Sequence, residues 1–320
     1  MPIEFAEVPR PDDTQRRTSR PRFGTLDTFG DWLAARQGRS RPTPPRHPRI
    51  VVFAADHGIA ARGVSARPPE YTREAVRELR DGGTPLGLLA DRAGAGMRIV
   101  DVAVDSEERD EFKVRRGSGP IDSEDALTRE QVEAAVDAGI RIADAEVDEG
   151  ADLLVPAGLG VGASTPAATL VAALTGTEPV AVVGRGSGID DNTWMRKAAA
   201  VRDTLRRARP VVTEPLELLR TAGGADLAAL AGFLAQAAVR RTPVLLDDLS
   251  VCAAALLAEE LAPGARSWWA AAHRTTEPAH AVALEHLDLE PLVDLGIAEG
   301  AGTGAVALLP LLASAARLAE

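Results

Sequence analysis

Six short apolar runs, rich in Val, Ile, Leu and Ala, alternate along the chain with longer alanine-rich stretches of helical period. Because their hydrophobicity is continuous rather than alternating, the runs are typical of strands covered on both faces, as in a parallel sheet. Helices between successive strands indicate the α/β class. We predict a mainly parallel, six-stranded sheet flanked by helices, with strands within residues 50–58, 97–105, 151–160, 178–186, 242–249 and 267–274.

Residues 1–49 differ in composition from the rest of the chain. They contain a helix candidate, LDTFGDWLAAR at 26–36, followed by the proline-rich segment GRSRPTPPRHPR. Proline fixes φ and removes a backbone donor, so neither helix nor strand persists through such a segment. We therefore predict a linker or covering strap ahead of the sheet.

Polar or glycine-rich turns follow most of the apolar runs, including ADHG, GLGVGAST, GRGSGIDD, LLDD and AAHRTTEP. In an open parallel sheet, ligands bind beyond the carboxyl ends of the strands, so these turns are expected to converge on one site. Three G-x-G-x-G loops, at 158–162, 184–188 and 300–304, could hold a phosphate on backbone N–H groups. For each loop the alternative stays open that glycine serves only a tight turn.

Three charged or titratable side chains lie near these loops. Lys197 follows the second glycine loop on a predicted helix, where it either reaches a phosphate as a point charge or is solvated. Asp56 and His57 end the first strand as a site pair or as hydrogen-bonding groups that hold the turn.

Several classes of protein are excluded by missing motifs and by composition. The glycine spacing is not the dinucleotide G-x-G-x-x-G, and neither a P-loop nor a G-x-S-x-G nucleophile elbow is present. The 47 acidic against 36 basic residues give a formal charge of −11, which argues against nucleic acid as a partner. The single cysteine, Cys252, excludes an internal disulfide framework, and the lack of a compact His–carboxylate cluster argues against a metal site. No cofactor is predicted.

The chain shows no signal peptide and no run approaching the roughly 20 apolar residues of a membrane span. We therefore expect a cytoplasmic protein with no membrane partner.

Several collinear segments between about Ile50 and Arg317 resemble the nicotinate-nucleotide:dimethylbenzimidazole phosphoribosyltransferase family. They are VVFAADHGIAARGVSARPPEYT, DGGTPLGLLADRAGAGMRIVDVAV, VVGRGSGIDD, GGADLAALAGFLAQAAVRRTPVLLDD, AAHRTTEPAHAVALEHLDLEPLVDLG and GTGAVALLPLL. The resemblance implies a Rossmann-like six-stranded domain, a small helical domain formed by the two chain ends, and a homodimer. The implied division is 1–49 for the strap, linker and part of the small domain, 50–290 for the large domain, and 291–320 for the glycine loop and helix that complete the small domain.

The resemblance also implies a reaction. The phosphoribosyl group of nicotinate mononucleotide moves to 5,6-dimethylbenzimidazole or a related base, giving α-ribazole phosphate and nicotinate in the assembly of the lower ligand of cobalamin. The implied phosphoribosyl-binding residues are Gly160, Gly162, Ser164, Thr165, Gly184, Arg185, Gly186, Ser187, Gly188, Lys197, Gly302, Thr303 and Gly304. The implied base pocket contains Asp56, His57, Ser65, Arg67 and Ala301.

The sequence departs from the family pattern on the side of the base. The glutamate of the family's LGEGTGA motif, which accepts the proton, aligns with Ala301, and that of GEMGIGNTT aligns with Gly158. The tyrosine of VSAYPQE aligns with Arg67. Three explanations stay open: Glu299 takes over the proton, the acceptor base needs no such group, or the chain is a degenerate paralogue that forms a heterodimer with an active homologue.

Overall fold

The computed structural model describes residues 3–15, 22–297 and 300–319. Five parallel strands form one sheet with the order β2-β1-β3-β4-β5. Its strands are β1 (Pro48–Ala55), β2 (Gly96–Ala103), β3 (Leu153–Leu159), β4 (Val244–Leu246) and β5 (Trp269–Ala271). The α/β class with a parallel sheet is therefore confirmed.

Twelve α-helices are assigned within the described residues, and the predicted helix at 26–36 is confirmed as α1. Four short 3₁₀ segments, at Asp13–Gln15, Gly58–Arg62, Arg209–Val211 and Ala265–Trp268, complete the elements. The α-helices are α1 (Thr25–Gln37), α2 (Tyr71–Arg80), α3 (Pro85–Ala93), α4 (Arg129–Asp148), α5 (Ser164–Thr175), α6 (Pro179–Val182), α7 (Asp191–Ala208), α8 (Pro215–Ala222), α9 (Ala225–Val239), α10 (Leu249–Leu261), α11 (Pro278–His286) and α12 (Thr303–Leu318).

The prediction of a sixth strand at 178–186 is wrong. Residues Pro179–Val182 form the short helix α6, and a glycine loop follows it. Proline suits the first position of a helix, because its fixed φ is helical and its missing N–H needs no partner there. Val180 is 64% exposed while Val182 is buried, so the run is not covered on two faces as a central strand would be.

The core lies on both faces of the sheet, as the continuous apolar runs require. Alternate residues of β1 point to opposite sides: Val51 and Phe53 pack toward one face, and Ile50 and Val52 toward the other. The first face is covered by α4, α5 and α7–α11, and the second by α1, α2, α3 and α12. Helices α1 and α12 contact each other, so the two ends of the chain meet on one face. The division of the chain at residues 49 and 290 stays a prediction.

Candidate active site

A cavity of about 230 Å³ opens beyond the carboxyl ends of the strands. Its walls come from the segments that follow β1, β3, β4 and β5, together with the loop before α12. The strand order reverses between β1 and β3, which is the kind of position where open α/β sheets bind ligands. A larger cavity of about 550 Å³ lies along β5 but shares no residue with this one. The predicted residues that line the 230 Å³ cavity are Ser65, Arg67, Gly160, Gly162, Ser164, Gly186, Ser187 and Ala301.

The second glycine loop is held by a buried lysine and a carboxylate. Lys197 of α7 is 1% exposed, and its Nζ donates to Ser164 Oγ at 2.9 Å and to the Gly184 carbonyl at 3.3 Å. The Gly186 N–H donates to Glu277 Oε1 at 2.7 Å. Burial lowers the pKa of the Lys197 ammonium from its ordinary value, and the charge of Glu277 opposes that shift. The Lys197 side chain thus lies directly behind the loop.

Gly184 is required by close packing rather than by an unusual φ. A Cβ at this position would overlap the carboxylate of Glu277. Arg185 does not line the cavity, and it pairs with Asp191 at 2.5 Å. The predicted phosphoribosyl residues that do not line the cavity are Thr165, Gly184, Arg185, Gly188, Lys197, Gly302, Thr303 and Gly304. Their roles stay predictions.

The first glycine loop is packed tightly against β1. A Cβ on Gly160 would overlap the Ala55 carbonyl oxygen, and Gly162 has a left-handed φ of 84°. Both glycines are therefore needed for the turn itself, whatever ligand it binds. The hydroxyl of Thr165 is buried without a hydrogen-bond partner among the described residues.

An aromatic and cationic pair lines the wall that follows β1. The Arg67 guanidinium lies 4.5 Å from the centroid of the Tyr71 ring, within the range of a cation–π contact. Ser65 Oγ lies 3.3 Å from Ser187 Oγ, which connects this wall to the second glycine loop. Tyr71 therefore places an aromatic ring in the same wall as Arg67.

Asp56 and His57 lie outside the cavity lining and hold the structure beneath it. Asp56 accepts hydrogen bonds from Thr72 Oγ1 at 2.5 Å and from the Asp105 N–H at 2.8 Å. His57 is buried, with Nε2 3.2 Å from Asp226 Oδ2. Burial lowers the pKa of His57, but the Asp226 carboxylate outweighs it, and the pKa is raised from its ordinary value. A role for this pair in base binding stays a prediction.

The third glycine loop is bound by two carboxylates at the end of β4. The fully buried Asp247 accepts the Gly302 N–H at 2.9 Å and the Ala305 N–H at 2.6 Å. Asp248 accepts the Ala301 N–H at 3.2 Å. Ala301 has a left-handed φ of 59°, which is uncommon for a residue with a Cβ.

A buried histidine completes this arrangement. His273 Nδ1 lies 3.3 Å from Asp247 Oδ1, and a Cβ on Gly304 would overlap the His273 ring. Burial lowers the pKa of His273, but its interactions with Asp247 outweigh this and leave the pKa raised. The neighbouring His280 accepts from the Thr275 N–H at 3.2 Å, and burial lowers its pKa to about 4.

Comparison with known proteins identifies the family of this chain. A family model described as phosphoribosyltransferase matches residues 11–320. The chain belongs to this family. The resemblance inferred from the sequence motifs is thereby confirmed.

Relatives match over nearly the whole length. The chain is 54% identical over 327 residues to the nicotinate-nucleotide–dimethylbenzimidazole phosphoribosyltransferase of Mycobacterium ulcerans (strain Agy99), covering 98% of this chain and 91% of that protein. A protein of the same name from Mycobacterium tuberculosis (strain H37Rv) is 54% identical over 333 residues, with coverages of 99% and 92%. The fold is similar to a crystal structure of CobT from Thermus thermophilus, with a TM-score of 0.90, 40% identity, and coverages of 96% and 93%.

The two positions aligned with family glutamates have no carboxylate in this chain, and both face the turn after β4. A Cβ on Gly158 would lie 3.0 Å from the Ser250 Cβ, so Ser250 fills that space. At the second position, the Ala301 N–H binds Asp248. Glu299, the predicted substitute base, lies outside the described residues.

Several lining residues were not identified as site residues from the sequence, among them Tyr71, Asp248, Ser250 and Glu277. A signal existed for some of them. Tyr71 is the single tyrosine of the chain and follows Arg67 by four residues, and LLDD had already been assigned to the binding edge of the sheet. Glu277 lies in AAHRTTEP, another turn that had been assigned to that edge. Ser250 carried no comparable signal, because it packs beside Gly158, which is distant in sequence.

Within the described ranges, no group of three or more His, Cys, Asp or Glu side chains is arranged to hold a metal ion. Over the same ranges, no helix combines the length and apolar character needed to cross a membrane.

Proposed function

We propose that this protein transfers the phosphoribosyl group of nicotinate mononucleotide to 5,6-dimethylbenzimidazole or a related base, releasing nicotinate. The observation that carries the proposal is the two-sided cavity. One wall is a glycine loop backed by a buried cation, and the other carries the Arg67–Tyr71 pair. The 54% identity to mycobacterial proteins that carry this activity in their names supports the same substrates.

The glycine-loop side is suited to the phosphoribosyl group. Backbone N–H groups, serine hydroxyls and a nearby ammonium are the groups that hold phosphate oxygens in proteins. Ser164, Gly186 and Ser187 line the cavity here, and Lys197 lies behind them, hydrogen-bonded to Ser164. The lysine therefore both orients the hydroxyl and supplies charge.

Other parts of the cavity lining are suited to a flat, mostly apolar base. Leu159 and Leu249 line the cavity together with Tyr71. Such side chains bind a planar ring by burial and stacking, and a few polar groups then fix its orientation. Arg67 and Ser250 are polar groups that line the same cavity.

The chemistry requires little beyond positioning and one proton acceptor. The nicotinate of the mononucleotide is a pyridinium, so it leaves as a neutral ring nitrogen when the anomeric C–N bond breaks, without an acid to protonate it. The anomeric carbon becomes oxocarbenium-like, and attack by a held base gains from proximity. The benzimidazole nitrogen that does not attack must lose its proton, which calls for a general base.

Incubation of the pure chain with nicotinate mononucleotide and 5,6-dimethylbenzimidazole is expected to release nicotinate and form α-ribazole phosphate in equal amounts. Chromatography of both products tests this, and omission of the benzimidazole is the control. Binding of nicotinate mononucleotide without turnover, relieved by adding a co-encoded homologue, would instead support a subunit that lacks its own activity.

Lys197→Met is expected to weaken binding of nicotinate mononucleotide by about 10- to 100-fold, because a hydrogen bond from a charged group contributes about 1.5–3 kcal/mol. Methionine keeps most of the volume of the buried side chain. Titration calorimetry measures the affinity. The matched control is Lys113→Met, since Lys113 is the other lysine of the chain and pairs with Asp101 at 2.9 Å outside the cavity. Equal affinities for wild type and Lys197→Met would remove the lysine from phosphate binding.

We also propose a cytoplasmic dimer, with a second copy or a homologue as the partner. Exposed apolar side chains on the segments near the two chain ends support this. They are Phe23, Leu295, Leu311 and Leu318, each at least 40% exposed. Analytical ultracentrifugation tests the oligomeric state, and a monomer at micromolar concentration would contradict it.

A further inference from the structure

A carboxylate that the family alignment does not predict lies beside the position where the family glutamate is missing. Asp248 begins helix α10, where its Oδ1 accepts the Val251 N–H at 3.1 Å. Its Oδ2 accepts the Ala301 N–H at 3.2 Å and would lie 2.9 Å from a Cβ placed on Gly300. The side chain is partly exposed and lines the cavity. The carboxylate therefore reaches from β4 to the backbone that carries the missing glutamate in the family pattern.

We propose that Asp248 is the proton acceptor of the reaction and replaces the glutamate absent at Ala301. This inference rests on the proposed function. It assigns the base to the turn after β4 rather than to the terminal glycine loop.

The other carboxylate in the described lining of the cavity lies against the second glycine loop. Glu277 Oε1 accepts the Gly186 N–H on the phosphate side, and Oε2 is buried without a hydrogen-bond partner among the described residues. Ser250 fills the space beside Gly158, but its hydroxyl does not accept a proton at neutral pH as a carboxylate does. Among the described residues of the lining, Asp248 is thus the carboxylate on the side of the base.

The surroundings of Asp248 suit a base that works near neutral pH. Burial, followed by the like charge of Asp247, raises the pKa of Asp248 to about 6. The groups that face it are Asp247 at the end of β4, His273 at the end of β5 and Cys252 on its own helix. A general base is most effective when its pKa lies close to the working pH. Asp248 is then deprotonated at pH 7 and more basic than an ordinary aspartate.

The proton transfer balances without a further reactant. One benzimidazole nitrogen forms the new bond to the anomeric carbon, and the bond from that carbon to the nicotinate nitrogen breaks, with its electron pair going to nicotinate. The proton on the second benzimidazole nitrogen moves to the Asp248 carboxylate. Asp248 returns this proton to solvent after the products leave.

Asp248→Asn tests the assignment, because asparagine keeps the size of the side chain and one oxygen acceptor for the neighbouring N–H groups. We expect kcat with 5,6-dimethylbenzimidazole to fall by about 100-fold, the lower range for general base catalysis. Calorimetric affinity for nicotinate mononucleotide is expected to stay at the wild-type value. The matched control is Glu260→Gln, the same chemical change at the exposed far end of α10.

The pH profile separates a base from a structural residue. For wild type, kcat is expected to rise with pH through about 6 and to level off above it, because only the carboxylate form of Asp248 accepts a proton. The profile is measured with two benzimidazoles of different basicity. The limb caused by protonation of the substrate then lies at a different pH for each benzimidazole, whereas a limb caused by Asp248 lies at the same pH for both. The limb common to both substrates is expected to disappear in Asp248→Asn.

Wild-type kcat and an unchanged common limb in Asp248→Asn would overturn the assignment. A 100-fold loss in Glu299→Gln, with Asp248→Asn unaffected, would give the role to Glu299. A wild-type chain that releases no nicotinate with any benzimidazole would contradict the proposed function itself, and the role of Asp248 with it.

Discussion

Asp247→Ala is expected to lower the free energy of unfolding by about 3–5 kcal/mol, because each buried donor that loses its acceptor costs about 1–3 kcal/mol. Asp247 is fully buried and accepts the N–H groups of Gly302 and Ala305. Its carboxylate also lies 3.3 Å from His273 Nδ1. Alanine leaves both N–H groups without this acceptor in the interior and removes the carboxylate beside His273. The start of α12 and the adjacent wall of the cavity should loosen together.

Urea unfolding followed by circular dichroism measures this effect, and Asp137→Asn on the exposed side of α4 is the control. Activity should fall along with stability, because Ala301 and Gly300 of the same loop line the cavity. A loss below about 1 kcal/mol, within the usual range of a surface change, would show that the loop does not depend on this carboxylate.

Gly139→Ala is expected to destabilise the protein by about 3 kcal/mol, at the upper end of what overpacking a core usually costs. Gly139 lies in α4 where that helix crosses α9, and a Cβ would overlap the Ala229 carbonyl oxygen and lie 2.7 Å from the Phe233 backbone nitrogen. These are backbone atoms of a neighbouring helix, so no side-chain rotation relieves the clash. The two helices must separate.

Gly83→Ala provides the comparison, because no atom lies within 4 Å of its added Cβ and its φ is not left-handed. Alanine there is expected to be neutral or slightly stabilising, since it restricts the unfolded chain. Thermal unfolding of the two variants should therefore give opposite or very unequal shifts. Equal shifts would mean that α4 and α9 have room to adjust.

Much of the fold could be predicted from local sequence, because strands buried on both faces impose continuous apolar runs. The run at 178–186 shows the limit of that rule. Its Val and Ala residues resemble a strand, but Pro179 starts a helical turn and Val180 is exposed. Whether a run enters the sheet depends on partners distant in sequence, which composition does not encode. By contrast, Thr128 and Gln131 form a capping box at the start of α4, a pattern that is entirely local in the sequence.

The sequence predicted where the candidate site lies, but it did not predict which residues contact each other there. Ser65 and Ser164 meet in one cavity because the carboxyl ends of β1 and β3 lie at one edge of the sheet. Gly186 and Ser187 reach the same cavity from the loop after helix α6, not from the end of a strand. Lys197 was predicted either to reach a phosphate as a point charge or to be solvated, and it is buried behind the loop. This burial results from the packing of α7 on α5, a tertiary contact that no sequence motif predicts.

The hydrogen bond from the Gly186 N–H to Glu277 has a consequence for the binding of a phosphate at the second glycine loop. This backbone N–H has a negatively charged partner at 2.7 Å within the chain itself. A phosphate that binds the same N–H must therefore displace Glu277, so binding exchanges one anion for another. The same carboxylate competes with the product phosphate for the loop. This competition therefore lowers the affinity of the loop for the substrate phosphate and for the product phosphate alike.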